Sequence, residues 1–354
     1  MTRISLRDFR SYEAAELELG PGLTVVYGAN GAGKTNLLEA LYFGCTGRSF
    51  RTNDDRQLVR HGAKATRVVV SGSDDDGAHE LAVGLEPGEG KRMTSDGAPV
   101  ERLLDVAHRP LVSVFSPDRL ELIKGPAGLR RAHLDQFVAA LWPARAATRR
   151  EYLGVLAQRN ALLGRVRAGR VGAEALAPWN LSLATSGIEL AADRGNAVEL
   201  IAEGFARQAE QLGLNGQARL EYRRRSEAAT AEELAAEIAA RLDTDLARGH
   251  TTHGPHRDDL VISRGGRSLR HYGSQGEQRL SLLALLLAER ELLVQQRRQP
   301  LLLLLDDVMS ELDASRRSLL AAQLRRDGQS VVTATELEHV PGADDPAVTR
   351  IAVP

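Results

Sequence analysis

The sequence predicts an α/β fold: a head of mixed parallel and antiparallel sheets, interrupted by an inserted all-helical lobe. The apolar run Leu23–Tyr27 leads into a glycine-rich loop and then a helical pattern. A second apolar run, Leu301–Leu305, is typical of a parallel strand that is buried on both faces. Between residues 118 and 249, apolar residues recur at helical spacing. We therefore expect a discontinuous head, residues 1–117 and 250–354, and a helical lobe, residues 118–249.

Size and composition narrow the class of protein. The chain has 354 residues, of which 43% are hydrophobic, so it can bury more than one compact core. Its formal net charge is −1, and any nucleic-acid surface must therefore be local. The single Cys45 excludes an internal disulfide and a multi-cysteine zinc site. No apolar run approaches the roughly 20 residues that cross a membrane, and no signal peptide is recognisable, so we expect a cytoplasmic protein without a membrane partner.

Alternating apolar residues predict antiparallel strands in the first part of the head. These runs lie at residues 4–9, 17–19, 68–70 and 81–85. The turn-like Arg10–Tyr12 joins the first two runs, which suggests a hairpin, and Asp96-Gly97 marks a further tight turn. The strand Leu111–Phe115 ends this part of the head, because Ser116-Pro117 is typical of a helix start.

The lobe consists of apolar stripes that are too short for a long coiled coil, so we expect a compact bundle or a short arm. Thr230, followed three residues later by Glu233, has the signature of a capping box. The chain returns to the head near residue 250, with a predicted hairpin around Gly265-Gly266. Beyond it we expect a helix over Gln278–Val294 and a strand over Ser330–Val332.

A phosphate-binding loop lies between the first buried strand and its helix. It reads Gly28, Ala29, Asn30, Gly31, Ala32, Gly33, Lys34 and Thr35, and Asn36 follows it. The glycines allow backbone N–H groups to surround a phosphate, and the helix N-terminus favours the same anion. We expect Lys34 to reach the β- and γ-phosphates of ATP and Thr35 to ligate Mg²⁺. A glycine-rich turn that matched by chance would not require both the strand before it and the helix after it.

Two acidic residues follow the buried leucine run. Asp306, at the carboxyl end of this strand, is placed to complete a Mg²⁺ shell with Thr35. Asp307 is placed to orient the attacking water. The sequence therefore predicts that Lys34, Asp306 and Asp307 carry the chemistry of nucleotide hydrolysis.

A second candidate phosphate cradle opens a long helix in the last third of the chain. It contains Ser274, Gln275, Gly276 and Glu277. The phosphate loop already supplies a lysine, a hydroxyl and amides to one nucleotide, so this segment is better placed to bind a γ-phosphate that another subunit holds. ATP would then join two copies head to head, with Ser274, Gln275 and Gly276 at the interface.

Basic residues give weaker signals. Between residues 145 and 170 there are seven arginines and one acidic residue. These arginines do not share one helical stripe, and a DNA-backbone patch with Arg145, Arg149 and Arg150 is as well supported as a solvated face. For Arg48 and Arg51, nucleotide contact, DNA contact and a solvated loop all stay open.

Together these motifs resemble the ATP-binding-cassette ATPases, and within them the RecF family of bacterial recombinational repair, which is related to the SMC-type heads. The segments that carry the resemblance are Leu6–Tyr12, Gly28–Asn36, Gly47–Thr52, Phe115–Asp118, Gly254–Asp259, Gly273–Arg279 and Leu303–Asp313. The phosphate loop is common to many NTPases, whereas Phe115–Asp118 and Gly254–Asp259 point to this family.

The resemblance implies an SMC-like cassette head split by the helical insert, an ATP-dependent homodimer, and binding to duplex DNA near single-strand gaps. It also implies partnership with RecR, and through it RecO, in loading RecA. By the family's pattern, Asp313 faces the dimer partner. Asp307 stands where the wider cassette pattern has Glu, and Thr333-Ala334-Thr335 where it has a switch histidine. These two departures predict slow hydrolysis.

Two other functions stay open on the sequence alone. A cytoplasmic subunit of a membrane transporter shares the phosphate loop and the Ser274 segment, but the helical insert and the missing switch histidine disfavour it. A non-catalytic, ATP-gated DNA scaffold would use Asp306 to hold Mg²⁺ and would hydrolyse ATP only incidentally.

Overall fold

The computed structural model describes residues 1–297, 301–326 and 328–354, which divide into two compact units. The first unit contains Met1–Arg119, Gln211–Gly213 and Leu293–Pro354, and the second contains Leu120–Glu210 and Leu214–Leu292. None of the described helices combines the length and the apolar character needed to cross a membrane.

The strands are β1 (Arg3–Phe9), β2 (Tyr12–Glu18), β3 (Leu23–Tyr27), β4 (Thr66–Asp74), β5 (Gly77–Glu86), β6 (Gly90–Ser95), β7 (Ala98–Val100), β8 (Leu111–Phe115), β9 (Ala218–Arg223), β10 (Asp259–Arg264), β11 (Arg267–Ser268), β12 (Leu301–Leu305), β13 (Ser330–Ala334) and β14 (Thr349–Ala352). The helices are α1 (Lys34–Thr46), α2 (Glu121–Lys124), α3 (Ala127–Leu141), α4 (Ala146–Arg167), α5 (Ala177–Gln211), α6 (Ala231–Ala239), α7 (Leu242–Arg248), α8 (Leu269–Tyr272), α9 (Gln275–Arg297) and α10 (Ala314–Arg326).

The first unit contains one antiparallel and one parallel sheet, which confirms the predicted mixture. The antiparallel sheet has the order β2-β1-β4-β5-β6-β7, and the parallel sheet has the order β14-β3-β13-β12-β8. The predicted N-terminal hairpin is present, with Phe9 paired to Tyr12. Helix α1 packs against strands of both sheets, so its Leu37, Leu41 and Phe43 are fully buried.

The parallel sheet brings together the carboxyl ends of strands that are far apart in the chain. In β12, Leu305 pairs with Phe115 of β8 and with Val332 of β13. In turn, Ala334 of β13 pairs with Tyr27 of β3. All five leucines of β12 are buried, as predicted. The residues that directly follow β3, β8 and β12 therefore lie along one edge of this sheet, beside the end of β13.

The second unit is mainly helical but also contains the sheet β11-β10-β9. The predicted all-helical lobe is therefore wrong at β9. There, Ala218 and Leu220 are buried whereas Arg219 and Glu221 are exposed, which is the alternation of a strand. The capping box of Thr230 and Glu233 is present at the start of α6, as predicted.

The predicted return to the head near residue 250 differs from the observed division, because Leu214–Leu292 belongs to the second unit. The physical reason is β-pairing. Strand β10 is antiparallel to β9 along its whole length, from Asp259 opposite Arg223 to Arg264 opposite Ala218. In addition, the buried Arg130 of α3 binds both carboxylate oxygens of Asp259, at 2.7 and 2.9 Å.

Candidate functional site

The loop between β3 and α1 depends on two glycines for its shape. Gly28 and Gly33 have φ values of 155° and 104°, which L side chains rarely adopt. A Cβ atom at Gly28 would lie 2.2 Å from the carbonyl oxygen of Val353, and one at Gly33 would lie 2.8 Å from Ser11 Oγ. Since α1 begins directly afterwards at Lys34, the predicted phosphate loop forms a tight turn at a helix N-terminus.

Lys34 is held inside this loop. Its side chain is nearly buried, and Nζ donates to the carbonyl oxygens of Gly28 at 2.7 Å and Ala29 at 2.8 Å. An ammonium group has three hydrogens, so the same lysine can bind both carbonyls and a phosphate oxygen. The loop thus fixes a positive charge at the point where the sequence predicts the β- and γ-phosphates.

Three oxygen-bearing side chains meet at the edge of the parallel sheet. The hydroxyl of Thr35 lies 3.0 and 2.9 Å from the two carboxylate oxygens of Asp306, and Thr333 Oγ1 donates to Asp306 Oδ1 at 2.9 Å. Neighbouring ligands in an octahedral Mg²⁺ shell are about 3 Å apart, because each lies about 2.1 Å from the ion. The predicted pair Thr35 and Asp306 therefore fits a hard cation in both spacing and donor type.

Burial raises the pKa of Asp306, and the neighbouring Asp307 carboxylate adds to this shift. The hydroxyl hydrogen bonds from Thr333 and Thr35 act in the opposite direction and favour the ionised form. The environment of this carboxylate is thus costly for a negative charge by itself, and a divalent cation at the same place would stabilise that charge.

Asp307 has an unusual backbone conformation, with φ of 49°. Its N–H donates to Thr333 Oγ1 at 2.8 Å, and its carbonyl oxygen accepts from Ser310 Oγ at 2.9 Å. A single buried hydroxyl therefore contacts both predicted acidic residues. The sequence analysis notes Thr333 only because it stands where the wider cassette pattern has a switch histidine. The strand pairing places it beside Asp306, because Leu305 pairs with Val332 and each of these two residues directly follows that pair.

The helix after the phosphate loop anchors an arginine near the site. Glu39 of α1 is fully buried and binds Arg10 through both carboxylate oxygens, at 2.7 and 2.8 Å. Arg51 Nη1 donates to Asn36 at 3.0 Å and to Glu39 at 3.3 Å, while the amide of Asn36 donates to Ser11 at 2.9 Å. Arg51 is therefore held by α1, although its side chain stays exposed. Both ends of Asn36, a predicted nucleotide ligand, are engaged by this network.

In the second unit, Ser274 and Glu277 form a capping box at the start of α9. The Ser274 N–H donates to Glu277 Oε2 at 2.8 Å, and the Glu277 N–H donates to Ser274 Oγ at 3.3 Å. Glu277 also pairs with Arg264. The structure therefore gives these two predicted ligands a local function in helix capping, while Ser274 and Gln275 stay exposed.

Gly276 differs from the glycines of the phosphate loop, because the fold does not require it. Its φ is not positive, and a Cβ atom at this position would meet nothing within 4 Å. A glycine costs up to about 1 kcal/mol relative to alanine in a helix. The adjacent Tyr272 is 73% exposed, which is unusual for a large aromatic side chain. Helix α9 thus begins with an open, accessible surface.

The remaining predicted interface residue, Asp313, caps α10. Its Oδ1 accepts from the N–H of Arg316 at 2.9 Å and from Ser315 Oγ at 2.7 Å. These contacts, with the backbone N–H of Arg316 first, lower the pKa of the Asp313 carboxyl. Asp313 is exposed, so its capping function leaves it accessible to a partner.

The arginine-rich segment is less basic than its sequence indicates. Arg145 pairs with Asp193 at 2.6 Å, and Arg149 pairs with Asp135 at 2.8 Å. Arg159 of the same segment is fully buried. Among the three predicted DNA contacts, Arg150 is exposed and no carboxylate partner is seen for it within the described residues.

These features define a class: a P-loop ATPase head of the SMC type, with a phosphate loop, a buried acidic residue at the carboxyl end of another strand of the same sheet, and a serine-capped second helix start. The chain matches the RecF/RecN/SMC N-terminal domain family over residues 1–351. It belongs to this family, and within it to the RecF proteins.

Relatives and solved structures agree on this assignment. The chain is 38% identical over 374 residues to the DNA replication and repair protein RecF of Kineococcus radiotolerans, covering 97% of this chain and 94% of that protein. It is 39% identical over 354 residues to RecF of Anaeromyxobacter sp., covering 97% of this chain and 94% of that protein.

A solved structure described as the recombination mediator protein RecF-ATPrS in the RecFOR pathway has a TM-score of 0.85 at 28% identity, over 96% of this chain and 93% of that one. An Smc head bound to the C-terminal winged-helix domain of ScpA shares the fold, with a TM-score of 0.59, at 18% identity, and covers 95% and 89%. The transporter-subunit alternative is therefore not supported.

Proposed function

We propose that this chain is an ATP-dependent DNA-binding protein of recombinational and replication-gap repair, in which bound ATP drives head-to-head dimerisation on DNA and slow hydrolysis releases it. The observation that carries the proposal is the contact of Thr35 and Thr333 with Asp306 beside the loop that holds Lys34. Family membership supports it, because a similar RecF structure is described with ATP.

Each residue of the site has a distinct task in this proposal. The backbone N–H groups of the loop and Lys34 bind the β- and γ-phosphates and neutralise their charge. Thr35 and Asp306 would hold Mg²⁺, which supplies charge stabilisation to the transferred phosphoryl group when bound. Thr333 keeps Asp306 and the backbone of Asp307 in place, and Asp307 orients the attacking water. Its side chain is one methylene shorter than Glu, which favours slow turnover.

The second half of the composite site is the start of α9 from another copy. The exposed Ser274 and Gln275, with the open surface at Gly276, leave room for a γ-phosphate of the opposite subunit. The helix N-terminus favours an anion at the same point. Asp313, exposed and negatively charged, is a further proposed contact with the partner at the dimer interface.

The proposed partners follow from the relatives. One similar structure is described as part of the RecFOR pathway, so we propose RecR, and through it RecO, as partners in loading RecA where duplex DNA meets a single-strand gap. The protein would act in the cytoplasm at the nucleoid. Of the three arginines proposed to contact DNA, Arg150 has no carboxylate partner among the described residues, whereas Arg145 and Arg149 are already paired.

Sedimentation with and without ATP and a gapped duplex tests the proposal. We expect the wild-type chain to dimerise with ATP and Mg²⁺ but not with ADP, and to bind the duplex as a dimer. Lys34→Met should lose both behaviours, because the phosphate contact is lost. Ser274→Arg should keep ATP binding within about twofold, because in the proposed site each chain holds ATP with its phosphate loop and not with residue 274. It should lose the dimer, because the bulky arginine side chain blocks the start of α9, where the partner's γ-phosphate would bind.

One result would overturn the composite site: a Ser274→Arg variant that dimerises with ATP like the wild type. A wild-type chain that binds ATP and DNA as a lone subunit would overturn dimerisation as well. If single-turnover hydrolysis were unchanged in Asp307→Asn, the ATP-gated scaffold would replace the slow ATPase as the function.

A further inference from the structure

We propose that His79, Asp96 and His108 form a binding site for a divalent transition metal of the zinc class, on the antiparallel sheet of the first unit. His79 lies on β5, Asp96 lies in the turn between β6 and β7, and His108 lies in the segment before β8. The three ligand atoms all lie within 4.8 Å of one another. None of these residues belongs to the nucleotide site.

The two histidines converge on one carboxylate oxygen. Asp96 Oδ2 lies 3.0 Å from His79 Nδ1 and 3.4 Å from His108 Nε2. Ligand atoms about 2.0–2.1 Å from a tetrahedral Zn²⁺ are about 3.3 Å apart, so both distances match neighbouring ligands of one ion. The imidazole rings stack in parallel, with centroids 3.9 Å apart and an interplanar angle of 13°. Because a ligating imidazole nitrogen points to its ion within the plane of the ring, a cation bound by both histidines requires one ring to rotate out of this stack.

The surrounding groups support the ligands in the manner of metal sites. Nε2 of His79, on the far side of its ring, lies 3.1 Å from Asp74 Oδ1, which gives a carboxylate–histidine pair behind the proposed ion. The other oxygen of Asp96 accepts the N–H of Glu80 at 2.7 Å. Since Asp96 has φ of 50°, the tight turn fixes its position as well. Two ligands are therefore held by contacts outside the triad.

A simpler explanation accounts for only part of this arrangement. A protonated His79 between Asp74 and Asp96 would form an ion pair with each carboxylate. That pairing does not require His108 Nε2 to lie 3.4 Å from the same oxygen of Asp96. His108 Nε2 also lies 3.0 Å from Ser95 Oγ, a contact that metal binding would replace.

The donor set defines the class of ion. Two imidazole nitrogens and one carboxylate oxygen suit Zn²⁺, and also Co²⁺ or Ni²⁺, rather than the all-oxygen shells that Mg²⁺ and Ca²⁺ prefer. Three protein ligands leave a fourth position for water. Because the ligands come from three separate segments, a bound ion would link β5, the β6–β7 turn and the segment before β8, and would stabilise this end of the sheet.

Calorimetric titration of Zn²⁺ into tag-free, chelator-treated protein without nucleotide tests the proposal. We expect one equivalent to bind to the wild-type chain. His79→Gln and His108→Gln should weaken binding by about 100-fold or more, and Asp74→Asn by about 10–100-fold, the usual effect of removing a group that orients a ligand. His61→Gln is the matched control, because His61 is exposed and lies outside the cluster; it should bind as the wild type does.

Thermal unfolding provides the second measurement. Zn²⁺ should raise the Tm of the wild type and of His61→Gln but not that of His108→Gln, since a ligand stabilises the state that binds it. The Tm of each variant in chelator shows whether it is folded, so a loss of binding is not confused with unfolding. Absence of Zn²⁺ binding by the wild type, or equal binding by the wild type and both histidine variants, would overturn the site in favour of the His79 ion pair.

Discussion

The phosphate loop and the start of α9 both contain a glycine close to a helix N-terminus, Gly28 and Gly276, but the chain uses the two glycines differently. At Gly28 the backbone conformation and the nearby Val353 carbonyl exclude a side chain. At Gly276 neither restriction applies. The first glycine is thus required by the fold itself, whereas no contact among the described residues requires the second.

The polar residues of the two regions show the same contrast. Asp306 is buried, and two threonine hydroxyls of its own unit contact it, so this site is largely assembled within one chain. Ser274 and Glu277 bond each other but lie at an exposed helix start beside the exposed Tyr272. A capping box explains the serine and the glutamate, but it does not explain the glycine between them. In the proposed dimer, the first region is the nucleotide-holding half and the second is the half that a partner completes.

The largest expected effect lies in the nucleotide-holding half. Asp306→Asn should lower the rate of ATP hydrolysis by on the order of 10²–10³-fold, the usual cost of removing one preorganised electrostatic contact. The Asn side chain has nearly the same shape, so the fold should persist while the negative charge for Mg²⁺ is lost. Single-turnover hydrolysis with excess enzyme measures this change.

Asp307→Asn serves as the matched comparison. It should also slow hydrolysis but should leave the Mg²⁺ dependence of ATP binding unchanged, because the proposed metal ligands are Thr35 and Asp306. If the Asp306 variant hydrolysed ATP at the wild-type rate, the oxygen cluster at the sheet edge would not be a catalytic metal site.

The sequence predicted the first half of this comparison better than the second. The phosphate loop, β12 and Asp306 follow local rules: a motif between strand and helix, and an acidic residue after an apolar run. Thr333 was missed because its contact depends on which strands are neighbours, a property that depends on the whole sheet. Likewise β9 was missed because its single short alternation lies among long helical patterns.

The sequence also did not predict which charged side chains are buried. Arg159 reads as part of a basic patch, yet it is fully buried and donates to Asp245 at 2.8 Å and to Thr251 at 2.6 Å. The partners lie more than eighty positions away along the chain, so spacing within the segment gives no sign of them. The capping contact of Ser274, in contrast, has a local signature, Ser followed three residues later by Glu, although the sequence interpretation assigned both residues only to a phosphate cradle.

A smaller effect is expected at Thr333, which joins the two acidic residues. Thr333→Val keeps the shape of the side chain but removes the hydroxyl that bonds Asp306 and the N–H of Asp307. Losing both hydrogen bonds, and with them the acceptor of the Asp307 N–H, should cost about 1–3 kcal/mol of unfolding free energy and slow hydrolysis by about 10–100-fold. Thr333→Ser retains the hydroxyl and should stay within a few-fold of the wild type. Equal rates in the Val and Ser variants would mean that the hydroxyl only supports β13.

The smallest expected effect tests the contrast between the two glycines directly. Gly276→Ala should not destabilise the isolated chain, and should stabilise it by up to about 1 kcal/mol, because the position is helical and open. In an ATP-dependent dimer, the added methyl group would crowd the opposing γ-phosphate. An overpacked contact costs about 1–3 kcal/mol, so dimer affinity should fall by about 5- to 150-fold. Gly164→Ala on α4, where an added Cβ atom would also meet open space, is the control and should leave dimer affinity unchanged.

Chemical denaturation of both variants measures the stability of the chain, and sedimentation with ATP measures the dimer affinity. If Gly276→Ala dimerised as well as Gly164→Ala, the open surface at the start of α9 would have no partner to receive, and the two regions would no longer form one composite site.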